Sequence, residues 1–376
     1  MDMVHRMIAL ILMLLMLFSG PAIALEKQLD TGVSVTWFNN DNSDKGTQVA
    51  VPIYAEFVYE GFKGQLVNAF AYTSIKPDEG DSVSLSRFLD TKINLSYEVI
   101  GRTPADILAG CGFNLPTGYT DFKADELALT YLPPDLLPIT SFGEGLNINP
   151  YLCVSKEWER LTAGFGMGYQ WRGEYDYSEM IQDLDPGDVF TVTAEAAYAL
   201  TEDLQGRILG EYAGYGKDKV DGNDYYKEGA LTLLGLGATY TRSSWQMDAD
   251  ISGIFRAKGE YYTTASTPIN SEKNYGDEWQ ATLKETCFLN STTSVISRLS
   301  FLTIAENGFE KDSPYYAGGR QKIALGCGME KTFTKTTKGS IDLTLFSMKD
   351  KKNWYHPDED LDYKGFTLSA GLNKAF

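Results

Sequence analysis

Residues 161–172 read Leu161-Thr162-Ala163-Gly164-Phe165-Gly166-Met167-Gly168-Tyr169-Gln170-Trp171-Arg172. Odd positions are apolar or aromatic; even positions are glycine or polar. That alternation has the period of a β-strand, which shows successive side chains to opposite faces. It recurs in 245–256, where Trp245, Met247, Ala249, Ile251, Gly253 and Phe255 oppose Gln246, Asp248, Asp250, Ser252, Ile254 and Arg256. It recurs again in 190–200, with Phe190, Val192, Ala194, Ala196, Tyr198 and Leu200 against Thr191, Thr193 and Glu195. A soluble strand averages about five or six residues, whereas a tilted strand crossing a bilayer needs about 9–11. The apolar faces also end in rings such as Tyr97, Tyr169, Trp171, Tyr198, Tyr240 and Trp245. Those side chains suit a membrane–water interface. A soluble sandwich would have to turn every apolar face inward and would leave too large a polar face.

Working outward, strands are expected near 31–38, 47–60, 63–75, 88–100, 105–114, 145–155, 159–172, 188–200, 204–216, 228–241, 243–257, 277–289, 293–305, 319–333, 339–348 and 364–376. Short links (Gly61-Phe62, Thr201-Glu202-Asp203, Asn290-Ser291-Thr292) alternate with long polar ones at 39–46, 76–87, 115–144, 173–187, 217–227, 258–276, 306–318 and 349–363. Short turns on one side and long loops on the other predict an all-β fold, a transmembrane antiparallel up-and-down β-barrel of about 16 strands. The first strand and the poorly alternating region 76–92 leave 14 strands open.

The two ends fit the same reading. Arg6 precedes the apolar run 8–20, and Pro21-Ala22-Ile23-Ala24 supplies the small residues of a cleavage site. Residues 1–24 are therefore expected to be a secretory signal peptide, with 25–376 forming the barrel. At the other end Phe366, Leu368, Ala370, Leu372 and Phe376 share one face. This strand resembles the C-terminal assembly signal of bacterial outer-membrane proteins, in which a terminal aromatic, here Phe376, is read by the barrel-assembly machinery. The expected location is the outer membrane of a Gram-negative bacterium, in contact with lipid and lipopolysaccharide.

The stretch Gly110-Cys111-Gly112-Phe113-Asn114-Leu115-Pro116-Thr117-Gly118 resembles the G-x-x-x-P-T-G strand end of channels for hydrophobic or aromatic compounds, the fatty-acid-transporter-like and phenol-degradation-pathway-type barrels. Alternation starting near Val33 leaves no room for the N-terminal hatch of the fatty-acid transporters. In size and connection pattern the chain is similar to general porins. The resemblance implies either passive diffusion of small solutes or transport of hydrophobic or aromatic compounds. A structural or adhesive barrel with acidic surface loops is the further alternative.

Composition excludes much else. With 51 Asp+Glu against 33 Lys+Arg, a net charge of −18, nucleic acid is not an expected partner. Of the two histidines, only His356 follows the leader, so acid–base catalysis is not expected. Cys111, Cys287 and Cys327 fall on apolar faces and Cys153 on a polar one; no spacing suits zinc, and no cofactor is expected. The polar faces supply the lining of a water-filled lumen: Glu56, Glu98, Arg172, Glu195, Arg207, Glu211, Asp248, Asp250, Arg256, Lys284, Arg298, Lys322, Glu330 and Asp342. Segregation of these signs to opposite walls would create a transverse field. Loop 115–144 carries many apolar residues, costly in a solvent-facing loop, and is the candidate constriction. Folded inward, it would turn Asp121, Asp125 and Glu126 toward the lining bases; as a cap it would pack on neighbouring loops. Solute and oligomeric state are not readable.

Overall fold

The computed structural model describes residues 26–376 apart from 79, 264–266, 354–355 and 357. The expected signal peptide, 1–24, lies outside the described residues. In chain order the strands are β1 (Glu26–Asn40), β2 (Lys45–Tyr59), β3 (Phe62–Lys76), β4 (Val83–Phe88), β5 (Thr91–Val99), β6 (Asp106–Leu115), β7 (Asn147–Trp158) and β8 (Leu161–Arg172). They continue with β9 (Leu184–Asp185), β10 (Val189–Ala199), β11 (Leu204–Tyr215), β12 (Lys217–Val220), β13 (Asn223–Lys227), β14 (Leu231–Thr241), β15 (Trp245–Arg256), β16 (Gly259–Tyr262) and β17 (Pro268–Glu272). The last are β18 (Glu278–Asn290), β19 (Thr293–Ile304), β20 (Arg320–Thr334), β21 (Thr337–Asp350) and β22 (Leu361–Ala375).

Seventeen of these form one antiparallel sheet. Because β4 and β5 both pair with β3 and follow each other along it, they are two halves of one stave, and the barrel has 16 staves. It closes where β1 pairs with β22, from Gln28↔Ala375 to Asn40↔Tyr363. Closure leaves no unpaired edge, as a bilayer requires.

Register fixes the faces. Phe165, Met167, Tyr169 and Trp171 of β8 point outward at 43–46% exposure, and Leu236 of β14 at 60%. On a water-soluble surface such a continuous apolar belt would be a liability; on a barrel it meets lipid. Glycines 164, 166 and 168 take the inward side of β8, opposite Glu195, Thr193 and Thr191 of β10.

Three expectations are corrected in detail. The link 39–46 is not long: β1 and β2 run to a tight turn at 41–44, held by Asn40, which donates to the Asp44 carboxylate at 2.9 Å and accepts from the Asp44 N–H at 2.9 Å. Region 76–92 is interrupted at Leu89-Asp90, where the inward parity changes from Arg87 to Lys92. The links 173–187, 217–227 and 258–276 are not plain loops. They contain β9, β12, β13, β16 and β17, which pair into a second sheet in the order β17-β16-β13-β12-β9. These strands have two to five residues, too few to show a period in the sequence.

Candidate functional site

The segment 116–146 between β6 and β7 leaves the wall and folds into the barrel. Its neck is built on Asp90, at the interruption between β4 and β5. One carboxylate oxygen of Asp90 accepts from the Gly118 N–H, and the other from the Glu144 N–H and the Asn114 amide, all at 2.7 Å. Both ends of the segment are thereby gathered on one buried anion. Charge-assisted bonds of this kind are the strong class.

Beyond the neck the segment divides into two apolar contacts. Phe122, Leu127, Leu129 and Phe142 pack with Ala71 of β3 and Leu85 of β4. Leu132, Leu136 and Leu137 pack with Phe38 of β1, Ala324 of β20, Phe346 and Met348 of β21, and Leu361 and Tyr363 of β22. The segment therefore lies along the inner face of one arc of the wall, from β4 round to β20, near the end from which the long loops leave. Polar ties reinforce it. Gln48 of β2 donates to the Ile139 carbonyl at 2.7 Å and accepts from its N–H at 3.0 Å. Arg320 of β20 bridges Asp135, at 3.2 Å, and Asp350, at 3.1 Å, while Lys322 donates to the Asp135 carbonyl oxygen.

The register places every residue of the expected lining set on the inward parity of its strand. Opposite signs are neighbours there rather than inhabitants of opposite walls. Arg207 contacts Asp250 and lies 3.9 Å from Glu195. Arg298 lies 3.6 Å from Asp342, Arg256 3.4 Å from Glu278, and Glu56 2.9 Å from Lys63. Asp248, Lys284 and Arg298 follow one another across β15, β18 and β19. Lys322 also lies over the Phe346 ring at 4.5 Å. Glu98, Arg172, Glu211 and Glu330 complete the set with no ion pair among the described residues, Arg172 donating to the Gly187 carbonyl at 3.4 Å.

The acids expected to meet the lining bases take other places. Asp121 and Asp125 are exposed, and Glu126 accepts from the Tyr119 hydroxyl at 2.8 Å and the Lys123 N–H at 3.1 Å, closing its own turn. The acid that meets bases is Asp135, which the sequence reading passed over together with Asp90, Gln48 and Arg320. Phe376 lies beside β1, its N–H donating to the Lys27 carbonyl at 2.9 Å.

Between the inward segment and the loops 257–277 and 305–319 lies a cavity of about 560 Å³, whose wall includes Tyr131, Tyr261, Tyr275, Phe309 and Tyr315. Tyr275 and Tyr315 are more than half exposed. Beside it, His356 contacts Asp350 at 3.1 Å and the Glu359 carbonyl at 2.9 Å, joining Glu359 to the end of β21.

The sequence profile of the phenol degradation MetA-pathway family matches residues 19–265. The chain belongs to this family. No curated protein sequence matches it. Among solved structures it is similar to a loop-deletion form of OmpT, an outer-membrane protein of Vibrio cholerae (10% identity, 94% of this chain and 100% of that one, TM-score 0.44). It is also similar to an anion-selective porin from Comamonas acidovorans (11% identity, 94% and 99%, TM-score 0.43). Similarity at that level identifies no function.

In this MetA-pathway chain the Pro116-Thr117-Gly118 stretch is the neck of the inward segment. Thr117 accepts from the Thr91 N–H at 2.8 Å. A Cβ on Gly118 would strike the Phe142 carbonyl and approach the Asp90 backbone nitrogen to 2.6 Å. Only glycine lets the departing and returning chains pass so closely.

Proposed function

We propose that the barrel is an outer-membrane channel for passive diffusion of small solutes, its polar lumen narrowed by segment 116–146. The observation that carries this reading is the segment's attachment to the inner face of seven neighbouring staves, from Asp90 between β4 and β5, through Gln48 on β2, to Arg320 on β20. A cap lying on the loops would have no reason to bury Leu136 and Leu137 against Phe346 and Met348. On this reading residues 1–24 direct export and are removed, and no catalytic step is involved.

The test is single-channel recording in a planar bilayer. Wild-type protein is expected to give stepwise openings, and a 119–143 deletion larger ones. Unchanged conductance in the deletion would remove the constriction, and electrical silence of the wild type would remove the channel.

Family membership and the exposed rings of the loop-side cavity favour a second reading, a channel for hydrophobic or aromatic compounds. Liposome swelling with sugars compared with uptake of a small phenol separates the two.

A further inference from the structure

One arc of the inner wall differs from the rest. From β3 to β8 the inward positions hold Gln65, Asn94, Asn114, Asn147, Asn149 and Gln170, framing a recess of about 410 Å³ with Tyr151. Its charged members are Lys92 and Glu144, of opposite sign. The paired guanidinium and carboxylate groups described above lie mostly on β10–β21, and at the level of this recess the wall presents mainly amides.

Glycine shapes the recess. Gly112 stands in register between Asn94 and Asn149, and a Cβ there would meet only Asn149, at 3.7 and 3.8 Å. The Tyr151 ring lies where a side chain on Gly110 would be. The lower amides satisfy one another: Tyr151 donates to Asn94 at 3.1 Å, and Asn94 to Gln65 at 3.1 Å.

The upper pair is not satisfied. Asn114 gives its amide hydrogens to the Asp90 carboxylate and the Gly145 carbonyl, each at 2.7 Å. Both partners only accept, so the orientation of the amide is fixed and its Oδ1 is left over. Asn147 is the cross-strand partner of Asn114. The Oδ1 atoms of both are buried without a hydrogen-bond partner among the described residues, in side chains 7% and 3% exposed. Two adjacent orphan acceptors in one recess call for donors.

We infer that this recess binds a neutral solute carrying adjacent hydroxyl groups. Two hydroxyls donate to Asn114 and Asn147, and the Tyr151 ring supports the less polar face of the molecule. A surface of amides offers donors and acceptors together at the strand spacing of about 4.8 Å. With its two charges opposed, it gives an ion no advantage. Sugars and aromatic diols share this chemistry. The inference rests on the channel reading and names the class of solute that the channel retains.

The experiment measures block of single-channel current, and calorimetric binding to the folded barrel in detergent, with D-glucose, catechol and 1,2-dimethoxybenzene, which lacks donors. Glucose or catechol is expected to block and dimethoxybenzene to be inert. Block by glucose alone identifies a sugar, and by catechol alone an aromatic diol. Asn147→Leu is expected to weaken binding about tenfold, the effect of one hydrogen bond. Gly112→Leu, which fills open space, is expected to abolish binding while the pore still conducts salt. Equal block by dimethoxybenzene, no binding of either diol, or unchanged binding in Gly112→Leu would overturn the inference and leave water as the partner of the two oxygens. If Asn147→Leu does not fold, Gly112→Leu decides alone. A barrel that binds a diol but never conducts would instead overturn the channel reading.

Discussion

At the residue scale, the lumen depends on a few buried charges that hold one segment. Asp90 is 5% exposed and accepts three hydrogen bonds at the neck. Asp90→Ala leaves those donors unmatched. Hydrogen bonds to a charged group are worth about 1.5–3 kcal/mol each, but a released neck recovers water at some of them. The expected loss is about 3 kcal/mol in urea unfolding of the vesicle-embedded barrel, and a loss below about 1 kcal/mol would refute the anchoring role. His356 gives a pH signature. Burial opposes its charge, but the hydrogen bonds the charged ring donates to the Asp350 carboxylate and the Glu359 carbonyl outweigh burial and raise its pKa above the ordinary 6.5. Its stabilising contribution is complete below that ordinary value and is lost as pH rises through the raised folded-state pKa. Thermal stability in detergent is therefore expected to decline across that window, and His356→Gln to flatten the decline. An equally steep profile in the variant would exclude the ring as the titrating group.

At the scale of elements, strand parity decides what each substitution does. Leu233 and Leu234 are neighbours on β14, but Leu234 is 55% exposed on the lipid face, while Leu233 shares the inward parity of Glu211. Leu234→Arg is expected to destabilise by up to about 2–4 kcal/mol, the cost of a charge on the lipid face, which grows with depth in the bilayer. Leu233→Arg is expected to cost under about 1 kcal/mol, because the lumen is wet. Reversed effects in the same unfolding assay would mean that the faces are assigned backwards. The long alternating strands were legible because period two over ten residues has no other common origin. β9, β12, β13, β16 and β17 were not, because a strand of two to five polar residues takes its conformation from its neighbours. The tight 41–44 turn was missed for a related reason: Asn, Asp and Ser there suit a long loop and a short turn equally well.

At the scale of the molecule, charge and closure set behaviour that no single element carries. Acids outnumber bases in the inward set and in the chain as a whole, whose net charge is −18. Local pairing cancels much of this field but not its sign. A cation preference is expected from reversal potentials in a salt gradient. It should weaken between 0.1 and 1 M salt, as the screening length falls from about 10 Å to about 3 Å. An anion preference would show that the lining acids are neutralised or face elsewhere.

The sequence by itself determined the barrel and its approximate strand number. Those features follow from periodicity and composition, which are local. The partners inside the lumen were decided only by tertiary structure. Asp135 meets Arg320 across 185 residues of chain, and Asp90 gathers both ends of a segment through a break in strand pairing. Asn114 and Asn147 become neighbours only when β6 pairs with β7. No period encodes such meetings, because they arise from closing the sheet on itself and laying one loop along its inner face.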